Sequence, residues 1–248
     1  MSEAQAAVVR PTDWEAERHA TRLYRVLQIL ASPIIRFFFW TRRRGHRQIP
    51  KRGPVILVSN HNSNLDPLLV VGSIPRPVFH LGKHTLFTTR FRRWFFQKLG
   101  GQIPVDRNRG GNEDAIRAAV HVLGRGYALG IYPEGRRSPD GNLCRGRTGV
   151  ARVALLSGAP VYPVGLVGAR EVWPKGKAFP RFFRRTQCLV GPPRQYAVDP
   201  AKADDARELR RVTDEIMTDL AKVLGQPYDP ATAPLLRGPE EAATPANV

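Results

Sequence analysis

A histidine and an aspartate five residues apart, His61 and Asp66, lie in the stretch Val55-Ile-Leu-Val-Ser-Asn-His-Asn-Ser-Asn-Leu-Asp-Pro67. A carboxylate beside an imidazole fixes its tautomer and stabilises its protonated form, which is what a general base working near neutral pH needs. By itself such a pair is a common structural hydrogen bond. Three later clusters raise its interest. Gly100-Gly-Gln-Ile-Pro-Val-Asp-Arg107 delivers an arginine into a glycine-bearing loop, and a guanidinium fork suits phosphate or carboxylate. Gly130-Ile-Tyr-Pro-Glu-Gly-Arg-Arg-Ser138 puts Glu134 and two arginines on a Pro-Glu-Gly corner. Gly158-Ala-Pro-Val-Tyr-Pro-Val-Gly165 holds two prolines, which limit ladder pairing, and reads as an edge strand or a rigid wall.

The elements that must carry these groups alternate. The apolar run before Asn60 reads as a buried strand, and Asp66-Pro67 as a helix start, with the aspartate as cap and proline in the first turn. Further strands are expected at 77–82, 102–105, 128–132, 160–167 and 187–190. Helices are expected at 67–73, 90–99, 112–124, 147–157 and 203–224, the last closed by Gly225-Gln-Pro. This order predicts an α/β fold, a central, largely parallel or mixed sheet flanked by helices. Each cluster falls at a strand's C-terminal end, the edge where such sheets gather their sites.

Ahead of this body, residues 1–12 are unpatterned and expected to be disordered. Residues 13–47 read as an N-terminal amphipathic, membrane-associated helical segment with a basic Thr41–Arg47 loop, 48–225 as the α/β domain, and 226–248 as a disordered tail. The apolar part of the first helix, Leu23 to Trp40, contains Arg25, Gln28, Pro33 and Arg36, so it reads as lying in a membrane interface and not spanning it. Pro33 should kink or divide it.

Of 248 residues, 39 are Lys or Arg and 21 Asp or Glu, a formal charge of +18. Between Arg36 and Arg194 there are 29 basic and 7 acidic residues, so the excess is concentrated in the body. Anionic partners are implied, and composition leaves both nucleic acid and an anionic lipid surface open. Aromatics interleave with arginines at Arg90–Lys98 and Phe179–Arg185, which suits an interface that is apolar at depth and anionic above, and also suits stacked bases. Cys144 and Cys188 form no metal or redox spacing and are expected to be inert. His80, His84 and His121 lack ligand spacing and are expected to be structural or surface groups.

Asn60-His61-x4-Asp66, Ile103-x-x-Asp106-Arg107, Tyr132-Pro-Glu-Gly-x-Arg137-Ser138 and Ala159-Pro-Val-x-Pro-Val164 together resemble the four ordered blocks of the glycerolipid acyltransferases. Within these the chain looks most like the 1-acylglycerol-3-phosphate acyltransferases. The resemblance covers about Pro50 to Gly191. It implies that His61 is the general base, oriented by Asp66, for attack of a glycerol hydroxyl on an acyl thioester. It further implies that Arg107 grips the acceptor's phosphate with help from Lys83, Glu134, Gly135 and Arg137. Glu134 is expected to hold a neighbouring arginine. Asn60 and Ser63 complete the substrate-binding set, Ser63 as a hydrogen bonder of the loop. No cofactor or metal is implied beyond acyl-CoA or acyl-carrier protein as co-substrate. The partners implied are a lysophospholipid acceptor, an acyl thioester donor and an anionic membrane surface on the cytoplasmic face, with no nucleic acid. One position departs from the pattern: Arg136 stands where the family usually has Thr or a similar small residue, and its charge bears on which headgroup is accepted. Alternatives are another lysolipid or glycolipid acceptor, a catalytically inactive relative acting only at membranes, and, from a different class, a nucleic-acid-binding protein.

Overall fold

Val55–Ser59 (β2) is buried at every position and is the middle strand of the sheet. The computed structural model describes residues 15–83, 102–105, 111–174 and 176–236, and among these the sheet has seven strands. Their spatial order is Thr41–Arg44 (β1), Thr186–Val190 (β7), Val161–Val167 (β6), β2, Ala128–Ile131 (β5), Val78–Lys83 (β3) and Gln102–Val105 (β4). Strands β6, β2, β5, β3 and β4 run parallel; β7 is antiparallel to β6 and parallel to β1. The expected mixed, largely parallel α/β architecture is what the chain adopts.

Alternate residues of β2 enter opposite cores. Ile56 and Val58 pack with Val122 of Gly111–Gly124 (α3), Val153 of Gly149–Ser157 (α4) and Ile216 and Leu220 of Ala206–Leu224 (α6). Val55 and Leu57 pack with Leu69 and Val70 of Asp66–Ser73 (α2) and with Val172 of the short helix Ala169–Val172 (α5). Covering both faces of β2 explains its unbroken apolar run. Below the sheet the buried Arg76 guanidinium donates to the carbonyls of Pro50, Gly53 and Gly126, closing the loops that enter β2 and β5.

Four expectations are corrected. The Thr41–Arg47 loop contains a strand, β1, whose alternating exposure is hidden by three consecutive arginines. The 13–47 segment is therefore joined to the sheet. Strand β6 is not an edge but lies between β2 and β7. It tolerates Pro163 because that residue sits just past the β7 ladder, where its carbonyl still accepts from Gly191 N at 2.9 Å. The first helix, Glu15–Phe38 (α1), runs through Pro33 without division. Contacts made by Gln28 before the proline and by Ser32 and Arg36 beside and after it hold the turns to α2. Finally, residues 226–236 are ordered against the body: Arg145 N donates to Pro234 O at 2.9 Å, and Tyr228 packs on the core. The expectations for 1–12, 90–99 and 237–248 fall outside the described residues.

The face α1 turns inward carries polar groups beside Ile35. Gln28 Nε2 lies 3.1, 2.7 and 3.0 Å from the carbonyls of Val71, Ile74 and Arg76, at and just past the end of α2. Tyr24 Oη donates to Val78 O at 3.2 Å. Gly72 permits this close approach, since a Cβ there would stand 2.8 Å from Ile35 Cγ2. The apolar residues Val26, Ile29, Leu30, Ile34 and Phe37 are each more than half exposed. No described helix is long and apolar enough to cross a membrane.

Candidate active site

The chain leaves β2 at Ser59 and must turn at once, because Asn60 ends the apolar run. Asn60 is buried and its amide mimics another strand residue: Nδ2 donates to Leu166 O at 2.9 Å and Oδ1 accepts from Leu166 N at 2.8 Å. That pair fixes the departure angle of the next residue, His61. Asp66 opens α2, but its carboxylate does not cap that helix. It turns back into the loop instead, where Oδ2 accepts from Asn62 N at 2.7 Å and Ser63 N at 2.8 Å, and lies 2.8 Å from His61 Nδ1. A carboxylate oxygen that gathers two amide donors makes the third partner a donor too, so Nδ1 carries the proton and Nε2 presents its lone pair. The His61 side chain is 22% exposed and Asp66 wholly enclosed, so the imidazole is reachable and the carboxylate behind it is not.

Glu134 is fully buried, and among the described residues its carboxylate meets backbone amides where an arginine was expected. Its Oε1 accepts from His61 N and its Oε2 from Cys144 N, both at 3.0 Å. Burial pushes its carboxyl up to about 7, against the pull of those two amides. The carboxylate thus ties the loop after β2 to the loop after β5, and Ser138 N adds a second tie by donating to His61 O at 2.7 Å. Ser63 is also enclosed: its hydroxyl donates to Trp173 O at 2.7 Å and accepts from Leu65 N at 3.0 Å. The side chains of Asn60, Ser63 and Glu134, expected to bind substrate, hydrogen-bond to backbone groups that brace the His61 loop from several sides: Leu166 for Asn60, Trp173 and Leu65 for Ser63, and His61 and Cys144 for Glu134.

Gly135 adopts φ 74°, a left-handed conformation that suits only glycine at this tight corner. A Cβ there would also stand 3.0 Å from Arg147 Cδ. Arg137 is half-buried and donates to Asn64 Oδ1 at 2.7 Å, so it reaches the His61 loop, while Arg136 is exposed. Lys83 ends β3, one strand beyond β5, but its side chain is outside the described residues, as is Arg107 altogether.

Sequence reasoning missed the ring on which His61 rests. Tyr132 stacks on His61 with centroids 4.3 Å apart, and His80 of β3 also stacks on Tyr132 at 5.6 Å. His80 is buried, which with the nearby His61 lowers its pKa to about 4 and keeps it neutral. Gly130 makes the room: a Cβ there would lie 2.3 Å from His80 Nε2. The signal available was Tyr132's place directly after β5, beside the strand whose following loop holds His61. Both cysteines are free and buried, Cys144 pushed up to about 11 and Cys188 to about 12 by burial, which leaves them unreactive.

An accessible imidazole nitrogen, backed by a buried carboxylate and a braced loop at the sheet's C-terminal edge, is equipped to take a proton from a hydroxyl. Comparison with known proteins bears on the fold and the family. The crystal structure of a 1-acyl-sn-glycerophosphate acyltransferase, PlsC, from Thermotoga maritima superposes with a TM-score of 0.63 at 23% identity, covering 91% of this chain and 88% of that one, which shows a shared fold. A 1-acyl-sn-glycerol-3-phosphate acyltransferase of Borreliella burgdorferi is 29% identical over 135 residues, 54% of each chain. The human 1-acyl-sn-glycerol-3-phosphate acyltransferase alpha is 28% identical over 152 residues, 59% of this chain and 51% of the relative. The chain thus spans about half the length of the curated relatives it matches. Residues 41–167, which include β1, the His61 loop and the Pro-Glu-Gly corner, match the family model described as Acyltransferase, and the chain belongs to that family.

Proposed function

We propose that the protein transfers a fatty acyl group from acyl-CoA or acyl-carrier protein to the free hydroxyl of 1-acylglycerol-3-phosphate, forming phosphatidic acid at the cytoplasmic surface of a membrane. The observation that carries this reading is the His61–Asp66 pair, with Nε2 presented outward from a loop held by Glu134. In the proposed reaction His61 Nε2 takes the acceptor's hydroxyl proton as its oxygen attacks the thioester carbonyl. The C–O bond forms, the C–S bond breaks, and the proton returns from the imidazolium to the thiolate leaving group. Asp66 stabilises the imidazolium in between, and no acyl-enzyme is required. Such a base contributes roughly 10²–10⁴-fold, and the rest comes from holding donor and acceptor together.

Arg107 and Lys83 are assigned the acceptor's phosphate, with Arg137 and the Gly135 backbone at the same rim. The relatives' names support a lysophosphatidic acid acceptor. The outward apolar row of α1, beside a strongly cationic body, supports a lipid surface as the place of work. His61→Ala tests the core of this reading. Acyl-CoA transfer to a panel of lysolipids should fall by at least ~10²-fold with an unchanged thermal midpoint. Near-normal turnover in that variant would remove His61 from the mechanism, and transfer to every lysolipid except lysophosphatidic acid would replace the acceptor.

A further inference from the structure

The turn between α5 and β7 displays aromatic rings that the core does not use. Phe179 is 82% exposed, Phe182 51% and Phe183 48%. Around them the sequence Pro174-Lys-Gly-Lys-Ala-Phe-Pro-Arg-Phe-Phe-Arg-Arg185 has five basic residues and no acidic one. Clustered exposed rings of this kind mark an interaction surface, unlike single apolar residues scattered on a protein.

The turn is held firmly in this display. Arg181 N donates to Val172 O at 2.8 Å, and Phe183 N to Phe38 O at 2.7 Å, which ties it to the end of α1. Phe182 stacks on Phe39 at 5.8 Å, while Phe183 meets Phe37 at 6.0 Å and Trp40 at 6.5 Å. Trp40 at φ 38° and Phe183 at φ 57° are the non-glycine residues with positive φ among those described, and their rings meet edge-on here. Such conformations persist only where the surroundings impose them. The imposed result extends the apolar row of α1 by a second element. At its other end the turn reaches the site, because Trp173 O accepts from Ser63 Oγ in the His61 loop.

We propose that residues 179–185 form a second membrane-contacting element, a lip whose phenylalanines enter the interface of an anionic bilayer while Arg181, Arg184 and Arg185 engage lipid phosphates. This rests on the lipid-surface reading above and adds that the membrane is gripped beside the His61 loop and not by α1 alone. The chemistry selects lipid: rings provide apolar depth, and uniformly cationic flanks match an extended anionic layer.

The test places an environment-sensitive nitrobenzoxadiazole probe at Phe179→Cys and, separately, at Leu30→Cys on α1, in the full chain. The native cysteines are buried, so labelling is confined to the new thiol. Vesicles of phosphatidylcholine with or without phosphatidylglycerol are added, some carrying spin-labelled lipid. Blue shift and quenching at both positions, stronger with phosphatidylglycerol, support the lip. Entry of the Leu30→Cys probe alone overturns the lip and leaves the lipid-surface reading standing, whereas entry of neither overturns both. A shift at Phe179→Cys that grows with protein concentration and ignores vesicles means a second copy covers the patch, and it too overturns the lip. Reversing Arg181, Arg184 and Arg185 to Glu should weaken binding to anionic vesicles roughly 10²-fold; binding unchanged by that reversal would refute the lipid-phosphate contacts. Phe179→Ser, at the most exposed of the three rings, should also loosen binding with folding intact, and no loss there would count against insertion.

Discussion

Helices α1 and α6 are both amphipathic, over 24 and 19 residues, and they are mounted opposite ways round. Helix α6 turns Val212, Ile216, Met217 and Leu220 into the core and sets its charges outward, where Arg211 pairs with Glu208 and Glu215, and Arg194 with Asp219. Helix α1 turns Tyr24 and Gln28 inward and leaves Ile29, Leu30, Ile34 and Phe37 outside. What each helix meets explains the difference. Helix α6 lies on an apolar sheet face. Helix α1 lies on the end of α2, whose last carbonyls need donors and would be left unpaired under a leucine. An apolar stripe left in water forgoes about 25 cal/mol for each Å² it could bury, so its persistence points to a covering that the described residues do not supply.

The most direct way to break this contrast is to put one charge on both stripes. Leu220→Asp should cost more than ~4 kcal/mol, since it removes core packing and buries an unpaired carboxylate. Leu30→Asp should leave chemical denaturation within about 0.5 kcal/mol of the parent and weaken vesicle binding instead. Equal destabilisation by the two would mean that the outer stripe of α1 is already covered within the fold.

A smaller effect sharpens what burial requires of a polar group. Gln28 is buried with partners, whereas His80 is buried in a place that rejects its charge, with a pKa lowered to about 4. As pH falls from the ordinary 6.5 towards 4, the unfolded chain binds a proton that the folded chain refuses. Stability is therefore lost across that window, by up to about 3 kcal/mol, and is unaffected by His80 above it. Thermal midpoints at pH 7 and pH 4.5 should differ less in His80→Gln than in the parent. A parallel shift of both midpoints would show that His80 titrates normally.

Gln28→Leu should cost about 1–3 kcal/mol even though it adds an apolar side chain to a buried place, because the α2 carbonyls lose their donor. A more stable variant, measured by urea unfolding, would contradict the inward polar face. The smallest effect belongs to the outer face of α6. Arg211→Ala removes two exposed ion pairs and should leave the urea midpoint essentially unchanged, as a solvated ladder predicts. A clear loss would mean the ladder is structural.

The site was legible where its contacts are local. His61 and Asp66 are five residues apart, and the run before them can only be a covered strand, so their meeting at its end could be read from the chain. Glu134 was placed near them correctly but given the wrong partner: its bonds go to the amides of His61, 73 positions away, and of Cys144, ten away, and backbone donors leave no trace in residue identity. The Tyr132 and His80 rings were missed for the same reason, since their stacking depends on β5 lying between β2 and β3. Strand β1 hid behind three arginines, and β6 behind prolines whose cost depends on where the neighbouring ladder stops.

Local periodicity, turn chemistry and the four ordered blocks were therefore enough for the strand–helix alternation, the fold class and the candidate base, because each depends on neighbours within a few residues. The orientation of α1, the bracing of His61 by Glu134 and Tyr132, and the outward set of Phe179, Phe182 and Phe183 were decided only in three dimensions. Amphipathic period is symmetric with respect to which face is covered, and a buried polar group takes whatever donor or acceptor the tertiary fold brings to it.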